Sequence, residues 1–462
     1  MDTGKKLKKR FKKQNSTKLP SLSFKDKEAG SYFIMGYANF VHHQIIKGLL
    51  FLSAQVLYIV FMVQKGVHLI AGLRTLGTKK QGWVKVPGKL LPVLQQGDNS
   101  MLFMIYGIAA LVITGVFILL YFMNLSSARH LLLDRRLGKK PNSFIEDLKE
   151  LGDSRFHATM LALPITGILF ITVLPIIFMI LIAFTNYDGQ HQVPGNLFTW
   201  VGFTNFANML GASQKLSSTF FRVLGWTLIW ATFATFSNYF LGIIVSLMIN
   251  KKGIRFKAMW RSILVTTIAI PQFISLLVMR NMFDIYGPIN NLLLHLGFIT
   301  ESTRIDFLTT NPLNARIVVL VVNLWIGIPY TMLIVTGILM NIPSEMYESA
   351  KIDGASAIQM FFKITLPHVL FVTAPYLITQ FIGNLNNFNV IFFLTGGGPT
   401  TTEYYQAGKT DLLVTWLYKL TVNNYDYNLA STIGIFAFVV SAVFSIFAYQ
   451  HTASYKREDE FA

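Results

Sequence analysis

The chain of 462 residues contains no cysteine. That excludes disulfides and thiolate metal sites and leaves the compartment open. Charge is scarce as well: Asp, Glu, Lys and Arg make up 13% of the residues, against roughly a quarter in soluble domains. Several windows of about 20 residues carry none of these four types, as a helix crossing ~30 Å of hydrocarbon requires. With 53% hydrophobic residues, the composition predicts an all-α polytopic membrane protein. The net charge is +18. In a soluble protein that would point to nucleic acid, but here the basic residues read as topology signals at the membrane face, and no nucleic-acid partner is expected.

Further absences narrow the chemistry. No Asp or Glu lies inside any expected span, whereas a proton-coupled carrier needs an intramembrane carboxylate. A sodium-coupled carrier can use backbone oxygens and is disfavoured less. The P-loop pattern G-x-x-x-x-G-K-[ST] does not occur, so this chain does not bind ATP in that way. The Gly-rich run Leu394–Glu403, LTGGGPTTTE, lacks the lysine and reads as a turn. The nine histidines are scattered, His42-His43 is adjacent, and no H-E-x-x-H is present. No Ser/His/Asp set can be assembled. No catalytic residue, metal ligand or cofactor is therefore assigned, and the chain does not read as an enzyme.

Eight spans are expected, at about 45–64, 102–123, 160–184, 223–249, 262–280, 316–340, 369–387 and 429–449. With both termini inside, the cytoplasmic segments hold 26 Lys and Arg and the external ones 11. That bias puts the termini in the cytoplasm of a multi-pass cell-membrane protein. Loop 65–100 dissents with six basic residues, among them Lys79, Lys80 and Lys85. The basic N-terminus is followed by no apolar stretch until about Ile45, too far for a cleaved signal. Residues 1–40 are expected as a retained, largely disordered tail that touches anionic lipid. The remaining divisions are a two-span region with its loop at 41–158, a third span with a short external loop at 159–220, a core at 221–450 and a tail at 451–462.

Between spans six and seven lies a mixed stretch, EMYESAKIDGASAIQMFFKITLPHV, from Glu345 to Val369. Ser344 is a candidate N-cap, and Glu345 and Glu348 lie in the first turns, where the helix dipole favours anions. Asp353-Gly354 interrupts the helix, because glycine is unfavourable in a helix interior and permits a turn at positive φ. A second helix follows with Ile358, Phe361, Phe362 and Ile364 on an apolar side, and Leu366-Pro367 marks its boundary or a kinked entry to span seven. The shape suits either a partner's groove or an interfacial helix on lipid.

The ordered pattern E-S-A-x-x-D-G-A-x-x-x-x-x-F-x-x-I-x-L-P, Glu348 to Pro367, resembles the EAA loop of ABC importer permease subunits, with Ser349 where the commonest form has alanine. The resemblance implies a type I importer core and a coupling helix that docks into an ATPase subunit. The residues it assigns to that contact are Glu345, Glu348, Ser349, Ala350, Asp353, Gly354, Ala355, Phe361, Ile364, Leu366 and Pro367. It extends over roughly 160–450, through AIPQFISLL (Ala269–Leu277), VNLWIGIPY (Val322–Tyr330), NLNNFNVIFFLTGGGP (Asn384–Pro399) and AGKTDLLVTWLYKL (Ala407–Leu420). These stretches are similar to the eight-span permease subunit of maltose/maltodextrin importers. The short loop at about 185–222 resembles the Gram-positive form, where the enterobacterial form has a folded insertion. Implied partners are a second permease subunit, a pair of ATPase subunits that bind ATP, a lipid-anchored external sugar-binding protein and the oligosaccharide. Another oligosaccharide, such as a galacto-oligosaccharide, is the alternative cargo, and an ion-coupled sugar carrier is a more distant one.

Asn384, Asn386 and Asn387 stand together in span seven. Such amides either cap the helix or pair with neighbouring helices, or they hydrogen-bond sugar hydroxyls. Span six supplies Asn323 and Trp325, the latter as apt for packing as for stacking a sugar. Gly327 and Pro329 can open the backbone locally. By resemblance, the sugar contacts fall on Ile268, Gln272, Asn323, Ile326, Gly327, Asn384 and Asn387. Ile268 and Gln272 depart from the family's residue types, and Gly383 stands where the relatives place an aromatic.

Overall fold

The computed structural model describes residues 20–88, 91–154, 156–251 and 253–451. Its contacts divide the chain into two compact units, Met1–Leu181 with Gln190–Trp200, and Ile182–Gly189 with Val201–Ala462. Among the described residues, seven helices are long and apolar enough to span a membrane, or eight if one sharply bent pair counts as a span. Helices dominate because hydrocarbon offers no partner to free backbone N–H and C=O groups.

In the first unit, residues 20–40 are folded, contrary to the expected disordered tail. A 3-10 turn at Lys27–Tyr32 leads to helix α1, Tyr37–Val41. Its buried Glu28 carboxylate meets His42 Nε2 at 2.9 Å and Arg135 at 3.1 Å, which ties the segment down by charge. Residues 1–19 and 452–462 of the expected tails lie outside the described residues. The first span, α2, runs Ile45–Thr75, further than expected, and takes Lys65 and Arg74 into the helix. The dissenting basic loop shortens accordingly and folds as a hairpin of β1, Gly82–Val84, and β2, Val93–Gln95, with Trp83 opposite Leu94. Asp98 braces it by accepting the Thr78 and Lys79 N–H groups at 2.7 and 2.9 Å.

Helix α3, Ser100–Arg136, has 37 residues, well beyond the ~20 that a span requires, and is terminated by Gly138, which sits at φ +65°. There the Lys139 N–H reaches the Asp134 carbonyl and the Gly138 N–H the Arg135 carbonyl, a Schellman cap. Amphipathic helix α4, Phe144–Gly152, opens with a Ser143–Glu146 capping box. The third span, α5, runs Phe156–Ile182.

The second unit starts with the short helix α6, Thr204–Ala207, and then α7, Gln214–Asn250. The fifth span is broken. Helices α8, Lys257–Ala269, and α9, Gln272–Met282, meet at 92° across Ile270-Pro271, where proline forces extended backbone on the residue before it. A short α10, Pro288–His295, precedes α11, Pro312–Leu339. The last helix runs unbroken through Gly327 and Pro329, where the sequence allows a local opening, and the break falls at Pro271 instead. After the loop come α12, Ser344–Ile352, α13, Ala357–Met360, α14, Leu366–Leu385, α15, Phe388–Leu394, α16, Leu413–Val422, and α17, Tyr427–Gln450. A core of Trp226, Trp230, Leu276, Val322, Ile326, Val390 and Ile391 joins α7, α9, α11 and α15.

Candidate functional site

The expected sugar residues lie on the elements around that core. Trp230 Nε1 donates to the Asn384 carbonyl at 3.0 Å, and Asn384 Nδ2 donates to Thr235 Oγ1 at 3.0 Å. Two bonds thus tie the end of α14 to α7. Helix α14 stops at Leu385, and the next two asparagines serve its ending. Asn386 Nδ2 donates back to the Ile382 carbonyl, and Asn387 Oδ1 accepts the Val390 N–H and caps α15. Asn387 Nδ2 stands 3.4 Å from Asn384 Oδ1. The amide run therefore makes the turn between two helices and also leaves Asn384 buried beside α7.

The other positions come from three elements. Asn323 is buried on α11, and its Nδ2 has no hydrogen-bond partner. Ile326, one turn on, belongs to the shared core with Trp230. Gly327 lies directly under the Asn238 amide of α7, and a Cβ there would stand 2.1 Å from Asn238 Nδ2. Gln272 opens α9 just after the bend, and its Oε1 accepts from Asn389 Nδ2 of α15 at 3.1 Å. Ile268 sits half-buried before the bend, on α8. Asn384 and Asn387 are in direct contact, while Asn323, Ile326 and Gly327 share one helix. At Gly383 a side chain would meet nothing within 4 Å. Asn238, Thr235 and Asn389 were missed from sequence. An isolated amide within an apolar span was the available signal for Asn238.

The loop after α11 folds as helix, turn, helix. Pro343, not Ser344, is the N-cap of α12, with no side-chain cap; Ser344 is the first helical residue. The helix ends in a Schellman cap, with the Ala355 N–H on the Ala350 carbonyl and the Gly354 N–H on the Lys351 carbonyl. Gly354 takes φ +76° with open space around it, so the backbone alone requires glycine. No residue of α12 is buried, and Ile352 is 87% exposed. Its side-chain tie to the rest is Tyr347 Oη to Thr365 Oγ1, 2.9 Å.

Glu345, Glu348, Ser349 and Asp353 are all exposed, and Ala350 and Ala355 are half-buried. Ser356 and Gln359 form a capping box that restarts the chain as α13. A wider π turn, Phe361–Thr365, then carries it into α14 with Pro367 in the first helical turn. Phe361 and Leu366 pack on a cluster of Tyr239, Ile243, Val335 and Val369, and Ile364 is half-buried. The loop thus presents one bare helix and roots the other in the span bundle.

The opposite end of this unit is closed by the Gly-rich turn. Gly396 and Gly397 both take positive φ. Gly397 has no room for a side chain, because a Cβ would lie 1.9 Å from Asp411 Oδ1. Asp411 is buried, pairs with Lys419 Nζ at 2.6 Å and accepts the Gly408 N–H at 2.7 Å. Burial pushes its carboxyl above the ordinary range, against the pull of the Lys419 ammonium and the Gly408 N–H. Arg316 lies 4.3 Å over the Trp226 ring and donates to the Lys409 carbonyl.

Residues 238–455 match the family model of the binding-protein-dependent transport system inner membrane component. Over 449 residues the chain is 33% identical to the maltodextrin transport system permease protein MdxF of Bacillus subtilis, covering 95% of this chain and 98% of that one. The chain belongs to the binding-protein-dependent transport permease family. It is a multi-pass membrane transport component and not an enzyme.

Similarity within this permease family is broad. The galactooligosaccharides transport system permease protein GanP of Bacillus subtilis is 35% identical over 430 residues, 92% of this chain and 97% of that one. The maltose/maltodextrin permease MalF of Escherichia coli is 32% identical over 269 residues, 56% of this chain and half of its own length. Among solved structures, a bacterial ABC transporter involved in import of the acidic polysaccharide alginate matches 66% of this chain and 97% of its own. That pair has a TM-score of 0.54 at 26% identity.

Proposed function

We propose that this chain is one of two permease subunits of an ATP-driven importer for maltodextrin-type oligosaccharides. The observation that carries the reading is α12, a helix with no buried residue, held between a Schellman cap and an N-terminal proline on an otherwise packed unit. A bare helix with small residues and a fixed turn has the form of a part made for a partner's cleft. In this reading the residues from Glu345 to Pro367 dock on an ATPase subunit in the cytoplasm, and both termini lie on that side. ATP binding closes the ATPase pair, α12 moves with it, and α13 and the π turn pass the motion to α14.

Sugar delivered by an external, lipid-anchored binding protein enters between the helices that carry Gln272, Asn323, Gly327, Asn384 and Asn387. Directional transport requires that the two states of the bundle differ in their hold on the sugar. The relatives named for maltodextrin support this cargo. The similarly close relative named for galactooligosaccharides makes that class the second reading. The test is purification of this chain from its own membrane in mild detergent, followed by reconstitution with whatever co-purifies. Recovery of a P-loop ATPase and a second permease, with ATP-dependent uptake of maltotriose, is expected. Uptake of a galactotriose with none of maltotriose would replace the cargo, and uptake that persists without any ATPase would overturn the importer.

A further inference from the structure

One polar side chain in the middle of the second unit is used by nothing described so far. Asn238 lies deep in α7, and its Oδ1 is buried with no hydrogen-bond partner. Its amide faces Gly327 so closely that it fills the place of a side chain there. It also lines a small cavity with Tyr330, Thr331, Tyr376 and Gln380, between α7, α11 and α14. The cavity holds about 40 Å³, room for water but far below the ~300 Å³ at which ligand pockets begin. A buried amide carbonyl without a donor is costly among apolar helices and marks such a residue as functional.

The position of this cavity follows from helix periodicity. Asn238 is one turn beyond Thr235, which holds Asn384; Gly327 is one turn beyond Asn323; Gln380 is one turn before Asn384. On all three helices the step runs toward the end that carries the exposed α12. The cavity is therefore the next polar layer between the Asn323/Asn384 level and the coupling loop. Several hydroxyl and amide groups converge on it without a charge, which is chemistry suited to a neutral polyol.

We propose that Asn238 is a sugar-contact residue on the exit side of the site, accepting a hydroxyl of the oligosaccharide as the cavity widens during transport. The proposal rests on the importer reading above. Because the chain has no cysteine, Asn238→Cys gives it a single thiol. In the assembled transporter with its binding protein, labelling of that thiol by a small maleimide is followed with ATP bound and after hydrolysis. The probe is maltotriose, with mannitol at equal osmolarity as control.

Labelling in at least one nucleotide state, slowed by maltotriose and not by mannitol, is expected. Asn238→Leu, of nearly the same size, should lower maximal uptake about tenfold, the worth of one hydrogen bond of ~1.4 kcal/mol. ATPase stimulation by the loaded binding protein should persist, and Asn238→Ser should recover part of the uptake. A thiol that never labels, or labels equally with sugar, overturns the proposal, as does full uptake by Asn238→Leu. Protection of Asn323→Cys with none of Asn238→Cys overturns the proposal and spares the importer reading. Absence of maltotriose uptake by the unaltered transporter sinks the cargo reading, and the proposal with it.

Discussion

In the first unit, helices Ile45–Thr75 and Phe156–Ile182 bury 6% of their apolar span windows; in the second, Gln214–Asn250 and Pro312–Leu339 bury 44%. The less buried pair is the more apolar of the two. In water that ordering would be paradoxical. In a bilayer the lipid tails are as apolar as leucine, so a helix can leave its apolar face to them, and helix association relies on packing and hydrogen bonds instead. Polar ties between helices occur in both units: Tyr239 to Thr373, Ser246 to Thr336 and Asn384 to Thr235 in the second, and Tyr58 to Thr114 and Asn39 to Ser127 in the first. The two most buried spans thus lie in the second unit, and the family match at 238–455 lies within that unit.

The strongest test of this contrast uses two buried carboxylates, one in each unit. Asp411→Ala leaves Lys419 unpaired in the second unit, and Glu28→Ala leaves Arg135 without its buried partner in the first. Removing the carboxylate costs up to ~3–5 kcal/mol where the cation left behind is largely buried, as Lys419 is, and less at Arg135, which is 37% exposed and keeps Asp26 beside it. Hydrogen exchange should show each loss confined to its own unit. Transport by the assembled complex should fail with Asp411→Ala and survive Glu28→Ala. Equal loss of transport in both would erase the functional distinction between the units.

Asn384→Ala comes next. It leaves Thr235 without its donor and removes the amide beside Asn387. Uptake should fall by about tenfold or more, as expected for the loss of one or two buried hydrogen bonds, while co-purification of partners persists. Unchanged uptake would remove Asn384 from the sugar path.

A finer comparison pairs the two Schellman glycines. Gly138 and Gly354 hold φ +65° and +76°, and neither has an atom within 4 Å of a would-be side chain. Valine at either site meets the same left-handed strain, ~1–2 kcal/mol. Gly354→Val should uncouple ATP hydrolysis from uptake, and Gly138→Val should leave both within about twofold, because only the first turn carries the bare helix α12. Equal effects would take the coupling role away from that loop.

The smallest effect concerns Asp306, in the loop before α11. Burial raises its carboxyl, but the Thr309 and Thr310 hydroxyls and the N–H groups of Thr309 and Leu308 outweigh this and lower it to about 2. A folded value below the ordinary 3.8 means that the stabilisation is full above that pH and fades as pH falls toward about 2. Asp306→Asn should cost about 1 kcal/mol or less at neutral pH, because solvent screens this partly exposed cap. The difference from the unaltered chain, read as thermal stability, should shrink on acidification; a difference that grows would reverse the assignment.

Legibility from sequence varied from element to element. The helix, turn, helix of 344–367 was readable because glycine, the capping residues and proline act locally, although Ser344 was displaced by Pro343 as the cap. The ends of α2 and α3 were not, since both helices continue through charged residues beyond their apolar windows without any break in the backbone pattern. Residues 20–40 looked like a tail because their anchor is the Arg135 charge about a hundred positions away. The Pro329 and Pro271 outcomes differ for a similar reason. Both are prolines in apolar helices, yet neighbours hold one helix straight and let the other bend by 92°.

The sequence by itself determined that this is a helical membrane chain, roughly where its spans lie, and that a folded turn at Gly354 interrupts the loop between spans six and seven. Those properties depend on composition and on contacts between near neighbours. Only the tertiary structure decided which asparagines cap and which face a neighbouring helix, that α12 stays uncovered, and that the Asn238 amide comes to rest on Gly327. These depend on which faces of distant helices meet, and packing between helices is set by shape and hydrogen bonds that no periodicity along the chain records.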